Sequence, residues 1–387
     1  MTKIISHEAS KNFCASNRRS SGRVHLPVAP KAQARIRYSP ETPLPRALSP
    51  DQALNWLDYL AEQGETIKVV NINGPGDPLA TPELTLQTVG LLREKYPELS
   101  ICLTTLGLGA AGLAGPLSKL GLAHVSILMD AVDPVVAEKI YAWIRPGVRT
   151  LPLNEAARLL IEEQAAAIAA LVKRGVPVQA KTTVYPGINS EHVTEIARKA
   201  AELGVAEMKL FPYLPRDDDS LRPLEEAGPE ELEALAGQAA RSLPTQFIDL
   251  AACQEMAELD FTDPGVSQAI RPKPDKKRPY LAVCSSDGFE VDLHLGQVDR
   301  FLIYGPKNGP VTLLEVRPAP EPGGADGRWL EIAMTLSDCF AILAAAAGES
   351  PKRLLAEKGL AVITQEGNVE GLVDALYGGG KKKGGKK

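Results

Sequence analysis

From Val24 to Phe211, short apolar runs alternate with longer amphipathic stretches. The runs Val24–Val28, Ile67–Ile72, Ser100–Thr104, His124–Met129, Val178–Val184 and Glu207–Phe211 read as strands. Between them the spacing predicts helices over Pro50–Glu62, Pro82–Lys95, Gly109–Leu120, Asn154–Arg174 and Glu191–Leu203. Ser49-Pro50-Asp51 and Thr81-Pro82-Glu83 each set a capping hydroxyl before a helix-opening proline, with an acid in the first turn. Gly175 and Gly204 fall where helix ends need a left-handed residue. Strands alternating with helices imply a parallel sheet. Six βα units without a glycine-rich dinucleotide fingerprint predict an α/β fold, a partial (β/α)6 barrel of the TIM type. A doubly wound sheet is the rival.

The pattern changes after Pro215. RDDDSLRP is a charged loop, Pro229–Ser242 a predicted helix, and RPKPDKKRP (Arg271–Pro279) reads as an interdomain linker. A second α/β pattern starts at Tyr280. Leu281–Cys284, Phe301–Tyr304, Val311–Val316, Cys339–Ala346 and Leu360–Thr364 read as strands. Arg328–Leu336, Pro351–Lys358 and Val369–Leu376 read as helices. The expected organisation is an N-terminal segment at 1–22, a barrel at 23–253, a linker at 254–279, a small α/β domain at 280–377 and a solvated Gly/Lys tail at 378–387.

Composition narrows the function. The chain of 387 residues carries a net charge of −5, and its last seven residues hold five lysines, so the remainder sums to −10. An acidic body is a poor partner for nucleic acid or an anionic membrane surface. No apolar run reaches the roughly 18 to 20 residues that span a bilayer, and MTKIISHEASKNF lacks a signal-peptide core. A cytoplasmic location is expected. The five cysteines, Cys14, Cys102, Cys253, Cys284 and Cys339, are scattered and form no CxxC pair. That argues against a disulfide framework or a zinc ribbon.

Candidate chemistry gathers in loops after strands. His25–Ser39 offers Lys31, Arg35 and Arg37 but no thiol. In Asn71–Glu83, Gly74, Pro75 and Gly76 allow a sharp turn and close backbone approach, and Asp77 could hold an amino group. The alternative is a tight turn capping the next helix. Thr105, Asp130, Asp133 and Asn189 end or follow later strands, so with Gly74–Asp77 they converge on one barrel rim as a candidate pocket. The alternative is that turns are simply rich in such residues. In the second pattern, His294 and Cys339 are soft-metal candidates, against a reading in which they are structural.

These segments together resemble the NifB family of nitrogenase iron–molybdenum cofactor biosynthesis proteins. The match is carried by HLPVAP at 25–30, GPGDPLA at 74–80, AVDP at 131–134, KIYAWIR at 139–145 and PGIN at 186–189. SSDG, VDLHLG, RFLIY and LSDC resemble the NifX-type, ribonuclease H-like domain often fused to it. The resemblance implies a radical S-adenosylmethionine (SAM) barrel. In it a CxxxCxxC loop after HLPVAP holds a four-iron cluster, and further cysteines and histidines hold precursor clusters. Here the three cysteine positions fall on Ala32, Ile36 and Ser39, although Tyr38 is kept. Arg18-Arg19 stands for a His-His, and Leu250…Cys253 for a CxxC. Cys14 and Cys253 are candidate remnants of metal ligation. Iron–sulfur clusters need thiolates.

The expectation is therefore a catalytically degenerate NifB-like protein, with no catalytic residue, no cluster in the barrel and little or no SAM binding. It would carry an iron–sulfur precursor near His294, Cys284 and Cys339, or scaffold assembly with other nitrogenase-assembly proteins. The rivals are a barrel repurposed for non-radical chemistry with Asp77, Asp130 and Asp133 as acid–base groups, a sensor of cofactor supply, and an active NifB borrowing ligands from a partner. Oligomeric state is not fixed by the sequence.

Overall fold

The computed structural model describes residues 22–39, 46–147, 151–214, 224, 226–248, 259, 264–307, 309–321 and 327–378. By internal packing the chain divides into two compact units, Met1–Leu48 with Leu57–Asp260, and Ser49–Trp56 with Phe261–Lys387. The strands of the first unit are β1 (Arg23–Leu26), β2 (Ala34–Ile36), β3 (Val69–Ile72), β4 (Ser100–Thr105), β5 (His124–Leu128), β6 (Tyr141–Ile144), β7 (Val178–Val184), β8 (Glu207–Pro212) and β9 (Thr245–Phe247). The α-helices described before residue 280 are α1 (Pro50–Glu62), α2 (Pro82–Lys95), α3 (Ala110–Lys119), α4 (Pro134–Ile140), α5 (Leu153–Val172), α6 (Val193–Glu202), α7 (Pro229–Ala239) and, within the expected linker, α8 (Pro264–Ala269).

Seven of these strands form one sheet in the order β1-β3-β4-β5-β7-β8-β9, all parallel. Each new strand joins the same growing edge. A doubly wound sheet reverses its order at a switch point, and this one does not, so it is the wall of a partial barrel. β2 and β6 pair separately and antiparallel. The alternation that marks the strands also sorts their faces. Val70, Ile72, Ile101, Leu103, Val125, Ile127, Ala180, Met208 and Leu210 are buried on one face. Register puts His25, Asn71, Cys102 and His124 in one row of the other face, and Thr104, Ser126, Gln179 and Glu207 in the next. α6 buries Val193, Ile196, Ala197 and Ala200, the i, i+3, i+4, i+7 stripe expected of a helix covering a sheet.

The second unit contains β10 (Tyr280–Val283), β11 (Glu290–Val291), β12 (Arg300–Pro306), β13 (Val311–Pro318), β14 (Cys339–Ala344), β15 (Ala361–Thr364) and β16 (Gly367–Asn368). Its later helices are α9 (Gly327–Thr335), α10 (Glu349–Ala356) and α11 (Val369–Leu376). The main sheet runs β13-β12-β10-β14-β15, with β10, β14 and β15 parallel and β12 antiparallel to both neighbours. This is the 3-2-1-4-5 order of a ribonuclease H-like fold. One face buries Ala282, Cys284, Phe301, Ile303 and Ile342 against Ile332, Leu336 and Leu355. The other buries Leu281, Val283, Leu302 and Leu343 with Val369 and Val373.

The barrel rim and the candidate cargo site

The loop leaving β1 is tied to the loop that follows β3. Ala29 N–H donates to Gly74 O (3.0 Å), Gly76 N–H to Ala29 O (2.8 Å) and Asp77 N–H to Lys31 O (2.8 Å), while Pro75 bridges Ala29 in parallel. A Cβ on Gly76 would lie 2.2 Å from Lys31 O and 2.8 Å from Ala32 N. Gly76 is thus required because the protein's own backbone occupies the space at its Cα.

Asp77 is buried, and its carboxylate is taken up internally. Oδ1 accepts from Leu79 N–H (2.8 Å) and from the Thr105 hydroxyl (2.7 Å), and Oδ2 accepts from Leu106 N–H (2.5 Å). Burial raises its pKa, opposed by these three donors. Thr105 Oγ1 also accepts from Gly107 N–H (3.1 Å). Gly74–Asp77 is thereby fastened on one side to residues 29–31 and on the other to the end of β4.

Asp130 and Asn189 make a second clasp. Asp130 accepts from Thr183 N–H (2.8 Å) and from the Tyr141 hydroxyl. Burial pushes its pKa up to about 7, opposed by those bonds. Asn189, fully buried, donates to Asp130 O and Thr183 O (both 2.9 Å) and accepts from Tyr185 N–H (2.7 Å). It joins the ends of β5 and β7. Asp133 caps α4 through Val135 N–H (2.8 Å). The rim residues expected from sequence thus do stand at the carboxyl ends of the strands, and the polar side chains among them hold loops to one another.

Ala32, Ile36 and Ser39, the positions that the resemblance pairs with cluster cysteines, lie in a different setting. Ile36 pairs with Tyr141 in the β2–β6 ladder, flanked by Arg37 N–H to Ile140 O and Arg145 N–H to Gln33 O (both 2.7 Å). Ile36 and Tyr38 pack on a cluster containing Leu106, Tyr141, Ile144, Tyr185 and Tyr213. Tyr38, Tyr185 and Tyr213 form a triangle with ring centroids 5.6 to 6.2 Å apart. The Ser39 hydroxyl donates to Ile36 O (2.8 Å). Ala32 and Ile36 carry no donor atom, and the half-buried Ile36 packs against an aromatic and aliphatic cluster. These residues do not fit a four-iron cluster. Cys14, Arg18-Arg19, Leu250 and Cys253 lie outside the described residues.

The polar inner face of the barrel was not anticipated. Asn71 Nδ2 meets His25 Nδ1 (3.3 Å), the Thr104 hydroxyl donates to Asn71 Oδ1 (3.2 Å), and Lys181 Nζ donates to Thr104 Oγ1 (3.1 Å). Farther round, Ser126 donates to Gln179 (3.1 Å), Gln179 to Glu207 (2.6 Å), and Lys209 reaches Glu207 (3.0 Å) and Gln246 (2.9 Å). Cys102 Sγ sits 3.5 Å from His124 Nδ1. Burial pushes the Cys102 thiol up to about 11. It pushes His124 down to about 3, aided by Lys181, Arg23 and Lys209. The signal was available: Ser100 and Thr104, His124 and Ser126, and Gln179 and Lys181 are polar and two positions or a multiple of two apart in their strands.

In the second unit, the carboxyl ends of parallel β10 and β14 lead into residues 284–289 and 345–348. Asp287 accepts from Phe289 N–H (2.8 Å) and Glu290 N–H (3.2 Å), and Asp292 accepts from Ser286 N–H (2.8 Å) and its hydroxyl. Those bonds hold both carboxyls below the usual carboxylate range. Phe289 is 72% exposed at the tip. His294 bridges Ala346 and caps a 3₁₀ turn at Leu295–Gln297. Arg328, at the start of α9, is buried and donates to Gly296 O and to Val298 O (2.8 Å). It had no local sequence signal. Cys284 and Cys339 are sealed in the core beneath. Burial pushes both thiols up to about 12, with Asp338 adding to the effect at Cys339. Of the three precursor-binding candidates, only His294 reaches the surface loops.

The model of the dinitrogenase iron–molybdenum cofactor family matches residues 277–379. The FeMo cofactor biosynthesis protein NifB of Chlorobaculum tepidum is 36% identical over 387 residues, covering 95% of this chain and 90% of that one. The protein of the same description from Klebsiella pneumoniae is 27% identical, covering 93% and 88%. Among solved structures, Streptococcus suis SuiB bound to its precursor peptide SuiA has a TM-score of 0.46 at 11% identity, over 68% of this chain and 56% of that chain. At that level the likeness carries no weight, and the barrel assignment rests on strand order.

Proposed function

The chain belongs to the NifB family of FeMo cofactor biosynthesis proteins, and from that premise we propose that it binds or carries an iron–sulfur precursor without radical SAM catalysis of its own. One observation carries the reading. The resemblance sets Ala32, Ile36 and Ser39 at the cluster-cysteine positions, and Ile36 lies in the β2–β6 ladder and packs on an apolar cluster. Without a cluster no electron would reach the sulfonium of SAM, and no iron would chelate its amino and carboxylate groups. Cargo is assigned to the 280–377 domain, whose SSDG and HLG turns lie at the ends of β10 and beside β14. Nitrogenase-assembly proteins in the cytoplasm are the expected partners, and the domain boundaries at 23–253 and 280–377 belong to the same proposal.

The test is anaerobic iron–sulfide reconstitution of the full chain, followed by dithionite and SAM. The expected result is no 5′-deoxyadenosine and no reducible cubane in the barrel. A stoichiometric four-iron cluster with SAM cleavage overturns the reading. Limited proteolysis is expected to cut first within 254–279.

A second reading is favoured by the polar inner face and by Asp130 with its raised pKa beside Tyr141. In it the barrel performs non-radical acid–base chemistry on a small metabolite. A rise in melting temperature with small metabolites, and none with iron–sulfur species, would select it.

A further inference from the structure

His294 offers the cargo a proton donor and not a lone pair. Its Nδ1 accepts from Gly296 N–H at 2.9 Å, as the cap of the 3₁₀ turn. A neutral imidazole has one N–H and one lone pair in the ring plane. With the lone pair at Nδ1 engaged, the proton resides on Nε2. Nε2 is neither buried nor bonded to a protein group among the described residues. Iron ligation through Nε2 requires the other tautomer, which would set Nδ1–H against Gly296 N–H, donor against donor, at 2.9 Å.

The ring cannot easily escape this arrangement. A Cβ on Gly296 would lie only 3.1 Å from Nδ1 and 3.2 Å from Cε1, so the ring lies against the Gly296 backbone. That backbone is held from both sides. Leu295 N–H donates to Ala346 O (2.8 Å), Ala345 N–H to Leu293 O (3.0 Å) and Gln297 N–H to His294 O (2.8 Å). Arg328 grips Gly296 O and Val298 O from beneath. We propose that His294 recognises an anionic, sulfide-bearing cargo by donating a hydrogen bond from Nε2–H, and that Arg328 is a positioning residue that fixes the turn and hence the tautomer. This rests on the precursor-binding reading above. Bridging sulfide is a hydrogen-bond acceptor, and a donor contact holds a cluster while leaving its iron sites open for transfer. One charge-assisted hydrogen bond corresponds to about tenfold in retention.

Two measurements on the full chain separate this inference from the reading it rests on. The first needs no cargo. ¹⁵N-histidine NMR, assigned by His294→Gln, should show a protonated Nε2 and an unprotonated Nδ1 at His294; Nδ1–H overturns the inference. In Arg328→Met the same resonances should move toward mixed tautomers, and an unchanged pattern overturns the role of Arg328. The second uses clusters reconstituted from ferrous iron and sulfide, with bound iron counted after desalting. His294→Gln, which keeps a donor, should retain clusters within about twofold of the parent, and His294→Ala should lose about tenfold. Strong ¹⁴N coupling from directly bonded imidazole, or retention by His294→Cys and loss by His294→Gln, overturns the donor role. Equal retention by His294→Ala also overturns it. No iron uptake by the parent chain defeats the precursor-binding reading itself, while the tautomer is still decided by the first measurement.

Discussion

The barrel rim and the His294 turn occupy the same kind of place, the carboxyl ends of parallel strands where α/β folds keep ligands. They use it in opposite ways. On the rim, Asp77 accepts three hydrogen bonds and Asn189 makes three, all to the protein. In the second unit, His294 commits one ring nitrogen to its turn and leaves the other unbonded among the described residues. Position alone does not make a binding residue. A side chain must also keep a donor or acceptor free of its own fold.

Removing Asp77 tests the comparison hardest. Asp77→Ala strands Leu79 N–H, Leu106 N–H and the Thr105 hydroxyl in a buried site, which should cost about 3–5 kcal/mol in urea unfolding. A loss below about 1 kcal/mol would mean that the carboxylate is not a fastening and is available to a ligand. Asp130 is expected next, through pH. Its folded-state pKa of about 7 lies above the ordinary carboxylate value, so between about pH 4 and pH 7 the folded chain holds a proton that the unfolded chain has released. Stability should therefore fall as pH rises through that window, by an amount on the order of 2–4 kcal/mol. Asp77 is shifted in the same direction and adds to the slope. Asp130→Asn should flatten the Asp130 share while keeping an acceptor for Thr183 N–H. An unchanged slope would show that Asp130 is ionised in the fold, which would remove its raised pKa from the support for the acid–base reading. Gly76→Ala comes third. Its Cβ meets backbone at 2.2 Å, and forcing residues 29–32 away should cost about 2–3 kcal/mol, seen as a lower melting temperature.

The barrel was legible because alternating apolar positions define its long strands and 3.6-residue stripes define its helices. β2, β6 and β9 were not. Each has only three or four residues and exists through pairing with a distant segment, as Ile36 does with Tyr141. The rim residues could be placed from the turn chemistry of Gly74, Gly76 and Asn189, yet their bonding could not. Asp77 finds Thr105 and Leu106 nearly thirty positions onward, across two strands. Arg328 is harder still, because its carbonyl partners lie 30 and 32 positions earlier. Cys284 and Cys339 stand beside turns as ligands would, and the apolar runs that predicted their strands bury both. The polar inner face is written in period two in the barrel strands, as Gln179 and Lys181 are between Val178, Ala180 and Thr182.

His294→Ala carries the smallest expected effect and closes the comparison. It deletes the same kind of contact as Asp77→Ala, a side-chain acceptor capping a short 3₁₀ turn. The difference lies in what remains. At Asp77 three buried donors lose their partner, whereas at His294 only Gly296 N–H does, beside a backbone already tied to Ala346. Loss of a single cap on an accessible turn costs about 0.5–1 kcal/mol. The variant should therefore unfold within about 1 kcal/mol of the parent, against the several expected for Asp77→Ala. A loss for His294→Ala equal to that for Asp77→Ala would make His294 another fastening, and the two sites would no longer differ in kind.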